Sequence, residues 1–188
     1  MGTRHLVCVY SNKRFQVAQY GQFDGYPSGA GLDVLNFLKK LSDKEFKTFK
    51  KKLRNVRLHS AAEFRDKNMY DDNPQPTASE VLDKVFASDK ELHLVNHASF
   101  GGDSLFCEWA YVINIDTNTL DVYEGFVNDL SESAPLFLKY KKPPKEQSQN
   151  AVHQIEDYYP VKLAASYGLE SLPDVEDFVE RFNEPEDK

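Results

Sequence analysis

Cysteine is nearly absent: Cys8 and Cys107 are the only two in 188 residues. Each sits in an apolar run, so the expectation is two reduced, buried thiols in a cytoplasmic protein; a disulfide would need their strands to be neighbours. Long apolar stretches are missing too. None approaches the roughly 20 residues that cross a bilayer, which excludes a membrane-spanning helix. No Asn-x-Ser/Thr acceptor occurs, in keeping with an intracellular address. Met-Gly-Thr-Arg-His-Leu-Val enters a strand-like pattern at once, so no signal peptide is expected. Gly2 is followed by Leu6 where myristoylation needs Ser or Thr. No internal repeat is visible. The net charge of −7 leaves little positive field for nonspecific nucleic-acid binding.

What is present is an ordinary globular balance, 40% hydrophobic and 28% charged, with aromatics at 13% supplying much of the filling. The length suits one domain with a substantial core. Residues 5–10 and 15–20 read as strands joined by Ser11-Asn12-Lys13-Arg14, and residues 105–115 and 120–123 as a second hairpin around Asp116-Thr117-Asn118-Thr119. The first strand of that second hairpin is apolar on both faces, which places it centrally in a sheet. Residues 159–167 offer one more strand, and residues 92–95 a short one.

Helical spacing appears at 32–41, expected to be buried on most sides, and at 44–57, a basic amphipathic helix opened by the capping box Ser42-Asp43-Lys44-Glu45. Thr77-Ala78-Ser79-Glu80 reads as a second capping box, and Pro173 opens a terminal helix. Residues 71–76 and 139–154 read as loops. Strands come in hairpins and do not alternate with helices, so the expected fold is α+β: one domain over residues 1–183, a mostly antiparallel sheet with packed helices, and an acidic tail at 184–188.

Chemistry concentrates at residues 19–31, Gln-Tyr-Gly-Gln-Phe-Asp-Gly-Tyr-Pro-Ser-Gly-Ala-Gly. Glycines there alternate with large polar-tipped rings, amides and a carboxylate, a composition suited to a tight bend that presents those groups. Asp24 is the candidate acid or base, with Tyr26 and Gln22 orienting a ligand and Tyr20, Phe23 and Gly25 around it. The competing reading is an elaborate turn in which Asp24 caps the bend and Gly25 supplies a positive φ. Gly25, Gly29 and Gly31 match neither phosphate-binding glycine motif, and Asp33 opposes an anion at that helix start. Glu108, beside Trp109, is the second candidate: either an ion pair with Arg4 or an acid with a raised pKa. His93 and His97 lack the companions of a metal motif, and nothing local brings His97 to Cys107.

The segment Gln22-Phe23-Asp24-Gly25-Tyr26-Pro27, with Gly29 and Gly31 behind it and Met1-Gly2-Thr3-Arg4 opening the hairpin, resembles a group of small uncharacterised proteins from fungi, bacteria and phages. Members carry His or Gln, then Trp or Phe, then Asp-Gly-Tyr-Pro. The likeness covers the first forty residues or so, with a weaker echo in Cys107-Glu108-Trp109-Ala110-Tyr111. It implies no reaction. Gln22 stands where some members have His, so no imidazole mechanism is implied at that position. The hairpins are faintly similar to N-terminal-nucleophile amidohydrolases, but removal of Met1 would expose Gly2, which is no nucleophile.

Two functions follow from these readings. One is a pocket for a small polar molecule, peptide or nucleotide, with hydrolysis as an added option: Asp24, Tyr26 and Glu108 would be catalytic, and Arg4, Tyr20, Gln22, Phe23, Gly25 and Trp109 would bind, without metal or cofactor. The other is an interaction module using the aromatic loop and the basic helix 44–57, although a solvated face explains that helix better than nucleic acid does.

Overall fold

The computed structural model describes residues 2–73, 77–142 and 158–183. Strand-favouring runs, buried on both faces, set β1 (His5–Ser11) and β2 (Arg14–Gly21) as an antiparallel hairpin. Asn12 and Lys13 make its two-residue turn, both at positive φ (54° and 58°), the geometry that follows the twist of the strands. A second hairpin, β5 (Trp109–Asn114) and β6 (Thr119–Glu124), lies beside it. The two meet through a parallel β1–β5 pairing, and β7 (Lys162–Gly168) adds to β6. The order is β2-β1-β5-β6-β7, an α+β sheet with all but one neighbouring pair antiparallel. β5 is its central strand, as its two apolar faces require.

Successive residues of a strand point to opposite faces, and the core divides accordingly. Val7, Val9, Tyr111, Ile113, Leu120 and Val122 belong to one cluster, under α1 (Leu32–Lys40), α2 (Asp43–Lys52), α4 (Glu80–Ala87) and α5 (Val175–Asn183). Leu6, Cys8, Ala110 and Val112 belong to the other, covered by the short helical turns at Ala98–Gly102 and Leu138–Tyr140. Both cysteines are free and buried in this second cluster.

Several local expectations give way. α1 is less enclosed than its composition implies, since Asp33, Asn36, Lys39 and Lys40 form an exposed face. α2 has its capping box but stops at Lys52; after a single turn at Leu53–Asn55 the chain becomes β3 (Val56–His59), which pairs in parallel with β4 (Leu92–Val95). Alternating Val56 and Leu58 serve the ribbon, and the helical spacing that also includes Val56 is coincidental there. A capping box of Ser60 and Glu63 opens α3 (Ala61–Asp66), a helix absent from the sequence reading. The one expected at Thr77–Glu80 does not form: α4 starts at Glu80 itself, so Glu80 is not three residues inside a helix capped by Thr77, and the Ser79 hydroxyl donates to Asp33 Oδ2 at 2.9 Å. Residues 74–76 of the 71–76 loop, 143–154 of the 139–154 loop, and the tail 184–188 lie outside the described residues. Among those described, no helix is long and apolar enough to cross a membrane.

Candidate functional site

Where β2 ends, the chain bends through Asp24, and the residue at positive φ is Asp24 itself (54°). No glycine in the chain has a positive φ, so Gly25 is not the flexible point of the turn. Its smallness serves a close approach instead. A β-carbon at Gly25 would come within 2.5 Å of the Thr3 carbonyl oxygen and 2.9 Å of the His5 ring, and one at Gly21 would collide with that same ring. The bend is tied down on both sides of Gly25: its N–H donates to Thr3 O (3.1 Å), and its carbonyl accepts from the buried Tyr111 hydroxyl (2.7 Å). Ala30 N–H then donates to Asp24 O (2.7 Å), and Gly31 N–H reaches back five residues to Tyr26 O (3.3 Å). This wide turn, Pro27–Gly31, feeds directly into α1. Such widened turns are frequent at functional sites.

The result is an open hollow of about 350 Å³ whose lining includes Phe23, Asp24, Tyr26, Ser28, Asp33, Thr77, Ser79 and the buried His5. Phe23 and Tyr26 are 50% and 57% exposed. His5 is 1% exposed, and neither ring nitrogen has a hydrogen-bond partner. Burial lowers its pKa, offset in part by the Thr3 backbone, which attracts the ring without completing a hydrogen bond, and by the Asp33 and Asp24 charges. A buried imidazole therefore stays neutral near pH 7, with one nitrogen able to accept and the other to donate.

The remaining candidates part company. Glu108 does not line this hollow. Its carboxylate accepts from the Arg4 backbone N–H (3.2 Å) and lies 3.7 Å from the Arg4 guanidinium, which sits 4.8 Å above the Phe106 ring. The ion pair is thus the form that Glu108 takes, and the three candidate catalytic residues do not share one cavity. Tyr20 hydrogen-bonds Gln22 through its hydroxyl, packs edge-on against Phe100 (4.9 Å between ring centres), and lines a separate hollow of about 360 Å³ with His97, Asp103, Phe106 and Lys142. Trp109 is packed against Phe182 of α5 (5.6 Å). Strand parity explains the division. Trp109 pairs with His5 and packs with the helix-covered cluster, whereas the Leu6–Cys8–Ala110 face is the opposite one.

His5 is the site residue that sequence reasoning missed. Its signal was there: it shares parity with Val7 and Val9, so an imidazole stands on an otherwise apolar core face. His93 and His97, in contrast, have local partners, His59 (3.0 Å, ring to ring) and the Tyr20 N–H (3.3 Å). Cys107 is fully buried, its thiol pushed well up by burial. Among the described residues, no three His, Cys, Asp or Glu side chains lie close enough to hold a metal ion. No protein-family model, curated protein or solved structure matches this chain.

Proposed function

We propose that the hollow formed by the 19–31 segment binds a small polar molecule. The observation that carries this reading is His5: a histidine almost wholly out of water, both nitrogens unpartnered, in the lining of a hollow it shares with carboxylates, hydroxyls and rings. Leaving buried polar atoms unpaired costs stability, and a ligand hydrogen-bonded to the ring would offset that cost. Asp24 adopts a left-handed φ, which costs an Asp little, and it lines the hollow with Phe23 and Tyr26. If chemistry follows binding, the neutral imidazole is the better base, Asp24 orients the ligand, and Tyr26 closes the side. The two buried free thiols favour a reducing, cytoplasmic setting.

The test is a thermal-shift screen of neutral, acidic and basic metabolites against wild type and Asp24→Asn. A true ligand at about a hundred times its Kd adds about 2.7 kcal/mol, which raises Tm by roughly 5–10 °C for a chain of this size. The shift should vanish or shrink in Asp24→Asn, which keeps the tolerance for positive φ while removing the charge. No stabiliser in a broad library, together with a protein partner lost on replacing Phe23 and Tyr26, would favour the second reading. That reading, an interaction surface, has the half-exposed Phe23 and Tyr26 rings in its favour.

A further inference from the structure

We propose that the occupant of the His5 hollow is an organic ammonium ion, a primary amine carried on a small apolar body. This rests on the small-molecule reading above and names its chemical class. The lining residues include two carboxylates, Asp24 and Asp33, and neither lysine nor arginine. One oxygen of Asp33 accepts from Ser79, which holds the carboxylate in place and leaves its other oxygen for a ligand. His5 adds a third acceptor, the unprotonated nitrogen of a ring that is 1% exposed and has no partner within the protein. An ammonium group brings three N–H donors to a lining whose charged side chains are both carboxylates. Phe23 and Tyr26 line the same hollow, half-exposed, and aromatic faces attract cations.

The alternatives fit less well. An anion would meet two carboxylates with no compensating cation. A neutral alcohol or sugar would gain nothing from their charge. Because no three of the described ligating side chains approach as closely as metal coordination requires, the acceptors suit a larger cation with the longer reach of N–H···O contacts.

An NMR titration of the whole chain with three probes sharing one phenyl body decides between them: phenethylammonium, 2-phenylethanol and phenylacetate. The ammonium should move the amide resonances of Gly25, Gly29 and Ala30 and the ring signals of His5. It should bind about tenfold more tightly than the alcohol, with phenylacetate silent at these positions. Asp33→Asn, at an exposed position of α1, should weaken the ammonium about fivefold, its folded state being read from the same spectra. Equal or tighter binding of the alcohol or the carboxylate at these residues overturns the ammonium class and leaves the small-molecule reading intact. So does an Asp33→Asn protein that binds as well as wild type. Silence from all three probes also overturns it, and the metabolite screen then decides the broader reading separately.

Discussion

His5 is the residue on which most else depends. Gly21 and Gly25 are small because its ring lies against them, and the bend at Asp24 forms around it. Burial lowers its pKa, and the half-buried His97 is lowered by burial as well. The unfolded chain therefore binds more protons than the native one once pH drops below the ordinary histidine value of about 6.5. Stability conferred by keeping these rings neutral is complete above that pH and is lost as pH falls below it. The carboxylates that the caps hold low, Glu45 and Glu63, begin to contribute only at more acid pH. Urea denaturation at a series of pH values should show this decline, and His5→Gln should flatten part of it. A His5→Gln protein with the same slope as wild type would show that the ring is not buried neutral. None of this was visible in composition, where His5 reads as the first residue of a strand.

At the scale of elements, the hydroxyl-carboxylate caps differ in their consequences. Ser42 and Ser60 each accept from the backbone N–H three residues on while the partner glutamate reaches back, so both orphan donors are satisfied. Ser42→Ala and Ser60→Ala should each cost about 1 kcal/mol, or about 2–4 °C in Tm. Ser79→Ala should cost less through the helix, because Ser79 makes no cap there, and should instead release Asp33. Thermal melts followed by circular dichroism compare the three directly. Both hairpins, β7 and α5 were legible because strand-favouring runs around polar turns and helical spacing are local signals. β3 was not: Phe46, Phe49, Leu53 and Val56 keep helical spacing past the point where the helix ends. The box at Thr77–Glu80 was misread because the helix begins at Glu80, later than a cap at Thr77 would start it, with the Ser79 hydroxyl held by Asp33, 46 residues away.

Across the whole molecule, the two faces of one sheet keep different company. Cys8 and Cys107 are buried on one face, and burial pushes both thiols upward, so neither is a thiolate at neutral pH. The sole tryptophan, Trp109, reports on the other face through Phe182 of α5. A chromogenic thiol reagent at pH 8 should therefore leave both cysteines unlabelled until denaturant unfolds the sheet, with labelling and the change in Trp109 emission sharing one midpoint. Rapid labelling of either thiol below that midpoint would mean that its face opens independently.

Local pattern alone determined the α+β composition, the two hairpins and the central position of β5, because strand, turn and helix patterns are written in short stretches of sequence. Tertiary structure decided how the candidate residues are distributed, chiefly through the parallel pairing of β1 with β5, whose partners lie 104 residues apart at His5 and Trp109. That pairing joins Arg4 to Glu108, and the alternation of the paired strands sends Glu108 away from Asp24 and leaves His5 facing the hollow. A register between distant strands leaves no periodicity in either one, so the face on which a charged or titratable side chain emerges becomes known only when the sheet closes.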